Sequence, residues 1–413
     1  MMHVHPLCRF AVLAALGASL AIAAETPRPT VTVAALLEKA KAINTADARV
    51  PLAARNTEAD ANFVRALKAL PNAAPAMKDL FDTIIYRGAI EPEVKLAMGL
   101  RMAQVYESRY VAAQTERRLR TTPRGAALLK AFPGVGPVPN PGTPDNMALS
   151  YAEKLSLDVH GISDADFAKV RTMYNDSQVV ELTLTTCFFN YLIRYAEAFR
   201  IPVEDWAFEK HAPASSVAVP IAKVSLISDT QLEALEAVRR RAKENEKQAP
   251  QAGLGIAMAN SMRAMYLSPA GASAWQAFGA AAGQYTAVDR PTKLQISFAV
   301  STANGCRYCT LHQVLGLRRV GVDVSKLVSM QKDDSALTPK ELTAVQFARK
   351  LTKAPTSVTD ADYQKLKTTF GDQGAMEVVL QTCNFAFMNR FTDNLRLPSE
   401  DEAVRVYKEV YGK

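Results

Sequence analysis

The sequence predicts an all-α protein. From about Thr30 onward, apolar residues recur at helical spacing nearly everywhere, as in the segment 34–40. We find no alternation of apolar and polar residues of the kind that is typical of a half-buried strand. Gly and Pro, which interrupt helices, are concentrated in a few stretches, chiefly residues 133–142 and 212–220. These observations favour helices joined by loops and linkers.

The first 24 residues have the pattern of a secretory signal peptide. A short basic region ends at Arg9, an apolar run extends from Phe10 to Ala21, and small residues precede Glu25. We therefore expect residues 1–24 to be cleaved. The mature protein is then expected to be exported, to a periplasm or to the medium, and to have no membrane anchor.

Length and charge exclude several classes of function. A chain of 413 residues is long enough for two or three domains. The net charge of +8 is spread along the chain, and the densest basic cluster, residues 117–124, reads as a solvated helix face without a nucleic-acid motif. There is no glycine-rich phosphate loop or nucleotide fingerprint. We expect no nucleic-acid partner and no cofactor.

The chain contains an internal repeat. Ser163 to Phe167 resembles Thr359 to Tyr363, and Cys187 corresponds to Cys383, at a constant offset of 196 residues (383 − 187). The same offset relates three further pairs, namely Arg194 and Arg390, Arg200 and Arg396, and Pro202 and Pro398. We interpret residues 30–210 and 225–413 as two tandem units.

The two units share the residues that begin their helices. Thr338 is a good N-cap, Pro339 fits the first helical position and Glu341 completes a capping box. Thr143 and Pro144 stand at the corresponding place in the first unit. Ser163 and Thr359 likewise cap helices whose first turns carry aspartates, which suits the positive end of the helix dipole.

One stretch carries the chemistry. Between Asn304 and His312 lie Cys306 and Cys309, a Cys-x-x-Cys pair whose sulfurs are one helical turn apart. Such a pair can form and break a disulfide with little backbone movement. At an offset of 198 (306 − 108), the first unit has Ser108 and Val111 in place of these thiols and Gln114 opposite His312. The sequence therefore predicts one redox pair per chain, in the second unit.

The residues from Val300 to His312 resemble the signature of the alkylhydroperoxidase D-like, carboxymuconolactone decarboxylase family. The resemblance implies all-α units of about six helices that associate with one another, and a thiol peroxidase or disulfide reductase site. Redox-active members also carry a Glu and His residues as a proton relay. Here Leu294 occupies the Glu position, Tyr308 the inner His position and Gln313 the place where the outer His often stands.

We predict Cys306, Cys309 and His312 as catalytic residues. A positioned acid or base contributes about 10²- to 10⁴-fold to rate, so the incomplete relay favours a slow peroxidase or a dithiol exchanger. A helix that begins after Gly305 would favour Cys306 as the attacking thiol, whereas the resemblance assigns that role to Cys309. The expected partners are a peroxide or disulfide substrate and a thiol electron donor protein, with homo-oligomerisation possible from the family.

Other interpretations remain open. The Cys306–Cys309 pair could be a structural disulfide in a non-catalytic binding module, or the chain could be a cofactor-free lactone decarboxylase, a reaction that the family includes. A zinc site lacks ligands, because only three histidines remain after cleavage. Cys187 and Cys383 are expected to be buried free thiols. A cluster at helical spacing is expected in the core and comprises Met258, Met262, Met265 and Tyr266.

Overall fold

The computed structural model describes residues 29–43, 47–54, 61–131, 134–208 and 259–412. The predicted signal peptide, Met258 and most of the region between the two units lie outside these ranges. Within them the chain forms α-helices and short 3₁₀ helices and contains no strand, which confirms the all-α prediction. No helix in this part of the chain has the length and apolarity needed to span a bilayer.

The first half contains α1 to α9. Their bounds are α1 Val33–Lys41, α2 Asn62–Arg65, α3 Ala73–Tyr86, α4 Pro92–Val105, α5 Arg109–Leu119, α6 Pro123–Ala131, α7 Pro144–Leu157, α8 Asp164–Arg171 and α9 Asp176–Phe199. The second half contains α10 to α17. Their bounds are α10 Asn260–Met265, α11 Pro269–Ala282, α12 Arg290–Asn304, α13 Arg307–Arg319, α14 Val324–Lys332, α15 Pro339–Lys353, α16 Asp360–Asn394 and α17 Asp401–Tyr411.

The helices begin where the sequence predicts. Thr338 accepts a hydrogen bond from the Glu341 N–H, and the Glu341 side chain closes the capping box at the start of α15. Thr143 caps α7. Ser163 and Thr359 form capping boxes at α8 and α16. These polar side chains satisfy backbone donors that a helix leaves free in its first turn.

Equivalent contacts occur in both halves. Lys95 on α4 forms a buried ion pair with Glu181 on α9, and Lys293 on α12 pairs with Glu377 on α16. The order of helices α2 to α9 is that of α10 to α16, with α8 and α9 represented by the two parts of α16. Gly371, in the left-handed region at φ 71°, breaks α16 at the corresponding point. Within the described residues the first half has nine helices and the second has eight, more than the six expected for each, because short helices such as α2 and α10 are included.

The halves pack on each other through α9 and α16. Arg200 forms an ion pair with Asp360, and Arg396 forms the reciprocal pair with Asp164. The buried Arg194 donates to the Thr352 carbonyl, with 3.0 Å between Nη2 and the oxygen. Contacts of this kind fix the second half against the first and bring first-half loops towards the thiol pair.

One apolar core extends through both halves. It includes Cys187 and Cys383, both fully buried free thiols as predicted, and Met265, with Met262 and Tyr266 packed against it. Burial raises the pKa of the Cys187 and Cys383 thiols. These two cysteines therefore fill space and have little thiolate character.

Candidate functional site

A tight turn between α12 and α13 presents the thiol pair. Gly305 ends α12 in the left-handed conformation, at φ 73°, and the Cys306 N–H donates to the Ser301 carbonyl over 2.9 Å. Cys306 is then the N-cap of α13, and its Sγ accepts a hydrogen bond from the Cys309 N–H at 3.3 Å. The prediction that a helix begins directly after Gly305 is confirmed.

A threonine from α16 touches both sulfurs. Thr392 Oγ1 lies 3.3 Å from Cys306 Sγ and 3.4 Å from Cys309 Sγ. The same oxygen lies 3.0 Å from the Met388 carbonyl, to which it can donate. Because a hydroxyl has one proton and two lone pairs, Thr392 can also donate to the Cys306 sulfur while it accepts from the Cys309 thiol. The shared hydroxyl therefore holds the two sulfurs side by side.

The thiols are free and buried. Cys306 is 0% exposed and Cys309 is 4% exposed. Burial raises the pKa of the Cys306 thiol, and the hydrogen bond with Cys309 and the charge of Asp393 raise it further, while the Thr392 hydrogen bond acts in the opposite direction. The reduced Cys306 thiol is thus protonated, and its reaction requires a group that accepts a proton.

His312 is turned towards α17. Its Nε2 lies 2.5 Å from Glu400 Oε2, its Nδ1 lies 2.7 Å from the Tyr308 carbonyl, and its ring stacks on the Tyr308 ring. Both ring nitrogens face acceptors, and neither is hydrogen-bonded to a thiol. The structure brings Cys306 and Cys309 together but places His312 in a separate network with Glu400.

Glu400 organises that network. Its Oε1 accepts from Tyr308 Oη at 3.1 Å and from the Asn260 N–H at 2.7 Å. Burial acts to raise the Glu400 pKa, but the Asn260 hydrogen bond and the charge of His312 prevail and lower it. An ionised Glu400 therefore fixes His312 and the first turns of α13.

Two further polar side chains lie beside the turn. Asp393 follows Thr392 in α16 and its side chain is 10% exposed. His160, from the 3₁₀ helix Val159–Gly161 of the first half, places Nε2 4.0 Å from Asp393 Oδ2 and 2.9 Å from the Asn304 carbonyl oxygen. Sequence reasoning counted His160 only against a zinc site and did not single out Thr392, Asp393 or Glu400.

A cavity of about 830 Å³ opens beside Cys306. Its walls include apolar side chains, such as Leu311 and Val404, and the cations Arg307 and Lys408, which form no ion pair or hydrogen bond within the described residues. Cys309 and His312 do not line it. Among the described residues, no group of His, Cys, Asp and Glu has the arrangement of a metal site.

The sequence model of the carboxymuconolactone decarboxylase family matches residues 269–350. This segment is a domain of that family. The domain runs from α11 through most of α15 and contains both thiols and His312. A comparison with curated proteins finds no match to the chain.

Several residues around the thiol turn lie outside the matched family segment. Thr392, Asp393 and Glu400 follow it in the chain, and His160 precedes it. The carboxymuconolactone decarboxylase domain therefore contributes the thiol helix, and helices from the rest of the chain complete its surroundings. Leu294, at the position of the expected relay Glu, packs in an apolar cluster with residues of α13 and α17.

The first half has a thiol-free version of the same arrangement. Ser108 stands in the place of Cys306 and donates to Glu197 Oε1 at 2.9 Å. Gln114, in the place of His312, donates to Glu204, the counterpart of Glu400. Ala196 replaces Thr392. The hydroxyl that contacts both sulfurs is thus found in the half that has the thiols and is missing from the half that has none.

Proposed function

We propose that the protein is a thiol-disulfide oxidoreductase in which Cys306 and Cys309 cycle between dithiol and disulfide. The oxidant is a hydroperoxide or a disulfide, and a thiol electron donor protein restores the dithiol. The observation that supports this proposal best is the contact of one hydroxyl, Thr392 Oγ1, with both sulfurs, 3.3 and 3.4 Å away, beside a cavity. We include export in the proposal. In an oxidising compartment the pair returns to the dithiol only if a dedicated reductant supplies electrons, which is why a donor protein is part of it.

The geometry supports Cys306 as the thiol that meets the oxidant. Cys306 lines the cavity and caps α13, where the helix dipole favours a thiolate. With a hydroperoxide, the Cys306 sulfur takes the terminal oxygen, the O–O bond breaks and an alcohol leaves. Cys309 then attacks the sulfenic acid, and water leaves as the disulfide forms. Two thiols and one hydroperoxide give one disulfide, one alcohol and one water.

Thiol counting tests this proposal. Mature protein is reduced, freed of reductant, treated with one equivalent of hydroperoxide and assayed for thiols after denaturation. Wild type is expected to lose two thiols per chain, whereas Cys309→Ser can form no internal disulfide at this site. The buried Cys187 and Cys383 provide an internal reference for thiols that survive. Unchanged thiols in wild type, or the same disulfide yield in Cys309→Ser, would contradict the proposal.

A second candidate is a cofactor-free decarboxylase acting on a small carboxylated lactone. The cations Arg307 and Lys408 at the cavity favour it, because neither is paired with an acidic side chain within the described residues. The two functions differ in their need for sulfur. Lactone turnover that persists in the Cys306→Ser/Cys309→Ser double variant would support the decarboxylase and remove the thiol mechanism.

A third outcome is a binding module with a structural disulfide. The reduction potential of the Cys306–Cys309 pair distinguishes a structural disulfide from a pair that exchanges with other thiols. A potential below about −300 mV is typical of structural disulfides that resist reduction by glutathione. A higher potential, together with reduction by a thioredoxin-like protein, would support the oxidoreductase.

A further inference from the structure

A buried carboxyl group with one unpaired oxygen lies next to the thiol turn. The Asp393 side chain is 10% exposed, and its Oδ2 receives no hydrogen bond. A buried carboxylate oxygen without a donor has lost its hydration and gained no hydrogen bond in return, which is unfavourable. Asp393 is therefore poorly explained as a structural residue, because a Thr or Leu at the same site would avoid that penalty.

The charged and titratable groups around Asp393 come from both halves. Cys306 faces it from the thiol turn, Arg390 from its own helix and His160 from the first half. Burial raises the pKa of Asp393, while the Cys306 thiol and the charges of His160 and Arg390 oppose that change. A carboxyl group with a raised pKa is closer to the range in which it can both accept and return a proton near neutral pH.

His160 connects this carboxyl group to solvent. Its side chain is 52% exposed, and its Nε2 lies 4.0 Å from Asp393 Oδ2. The backbone N–H of His160 donates to Asp158 Oδ1 at 3.1 Å, which anchors the short helix. A Cβ at Gly305 would come within 3.3 Å of His160 Nε2, so the glycine permits this close approach.

The first half shows what occupies the positions of Asp393 and Cys306 when no thiol is present. Glu197 is the counterpart of Asp393 and is hydrogen-bonded to Ser108, the counterpart of Cys306. Arg109 balances the Glu197 charge, with 3.5 Å between Nη1 and Oε2. In the second half the corresponding Arg307 forms no such ion pair within the described residues, and the titratable His160 lies beside the carboxyl group in its place.

We propose that Asp393 is the proton acceptor and donor for Cys306, positioned by His160 of the other half. This inference rests on the proposed thiol function. The Cys306 S–H proton moves to Asp393 as the sulfur bonds to the terminal peroxide oxygen. The O–O bond breaks, and Asp393 returns the proton to the leaving alkoxide, which departs as the alcohol. Asp393 ends the step as a carboxylate, and His160 keeps it in exchange with solvent protons.

Two measurements on Asp393→Asn test the relay. The rate of peroxide-driven disulfide formation at pH 7 is expected to fall about 100-fold, because a positioned base contributes about 10²- to 10⁴-fold. Alkylation of Cys306 by iodoacetamide at pH 8, followed by peptide mass spectrometry, is expected to become faster, because a negative charge beside the thiolate has been removed. Loss of structure would also expose the buried Cys187 and Cys383, so their alkylation is followed in the same digest and is expected to stay at the wild-type rate.

Asp393→Glu and Glu197→Gln are the matched variants. Glutamate occupies the equivalent site in the first half, so Asp393→Glu is expected to retain at least a tenth of the peroxide rate. Glu197→Gln changes the counterpart carboxyl group, which has no thiol beside it, and should leave both Cys306 rates unchanged. His160→Gln is expected to slow peroxide reduction about tenfold, because the imidazole beside the carboxyl group is removed.

The outcomes separate the relay from the proposed function. An unchanged peroxide rate in Asp393→Asn would overturn the relay, as would a parallel fall in the alkylation rate. If wild type does not react with peroxide, the peroxidase function fails. In that case the alkylation rates still test whether Asp393 interacts with Cys306. An Asp393→Asn alkylation rate equal to that of wild type would show that the carboxyl group does not act on Cys306.

Discussion

Thr392 is the residue that most directly sets the state of the thiol pair. Its hydroxyl lies within hydrogen-bond distance of both sulfurs, and its hydrogen bond lowers the pKa of Cys306 against the larger effect of burial. The first half, which has neither thiol, has Ala196 at this position. The hydroxyl is thus present in the half that has the thiols and absent from the half that has none.

Thr392→Ala is expected to slow alkylation of Cys306 at pH 8 about fivefold. Loss of one hydrogen bond that favours the thiolate corresponds to about 1 kcal/mol. Thr382→Ala is the matched control, because Thr382 lies on the same helix and donates to the Val378 carbonyl at 2.8 Å without contacting a thiol. An equal change in both variants would mean that the effect comes from the helix and not from the sulfur contact.

At the residue scale, the sequence identifies the thiols but not their partners. Cys306 and Cys309 are found by spacing alone, because both belong to one helix. Thr392, Asp393 and Glu400 lie more than 80 residues away, and their approach depends on the packing of α16 and α17. The repeat nevertheless contained a signal for Thr392. It aligns Thr392 with Ala196, so the half with the thiols has a hydroxyl at this position and the half without them does not.

At the scale of elements, helix starts are well determined by local sequence. A capping box needs only a residue at the N-cap and another three positions later, so Thr359 with Asp362 and Ser163 with Asp166 are recognisable without tertiary information. Each aspartate also accepts from a lysine of the preceding helix, Lys350 or Lys154, over 2.5 Å. That second contact could not be predicted, because it depends on how two helices cross.

Asp362→Asn is expected to destabilise the protein at pH 7 by about 1 kcal/mol, the usual effect of losing a helix-start interaction. Burial acts to raise the pKa of Asp362, but hydrogen bonds from Lys350 and Thr359 lower this pKa to about 2 from its ordinary 3.8. A lowered carboxyl pKa adds stability above pH 3.8 that is lost as the pH falls towards 2.

Urea unfolding at several pH values measures this effect. The free energies of unfolding of wild type and Asp362→Asn should differ at pH 5–7 and converge as the pH falls below 3.8. Asp166→Asn, at the equivalent place in the first half, should behave in the same way, because the pKa of Asp166 is also lowered to about 2. A difference that stays constant down to the lowest pH at which the protein is folded would contradict an ionic origin.

At the scale of the molecule, sequence comparison predicts two units, and in the structure residues of both halves share one large apolar core. Phe188 of α9 and Phe387 of α16 are both fully buried in that core, and Phe387 stacks on Trp275 with 3.7 Å between ring centroids. A repeat in sequence reports which helices correspond to each other. It does not report which faces they bury, because most residues of α9 and of the second part of α16 are buried whichever way they face.

The shared core predicts that both halves unfold together. Phe188→Ala and Phe387→Ala each remove a large buried ring and should each lower the free energy of unfolding by about 3–5 kcal/mol. Differential scanning calorimetry of wild type is expected to give one transition, which both variants move to lower temperature. Two resolved transitions, of which each variant moves only one, would mean that the halves are independent. Asp393 and Cys306 belong to the second half and His160 to the first. The contact between His160 and Asp393 therefore exists only while the two halves are packed together, which joint unfolding would ensure.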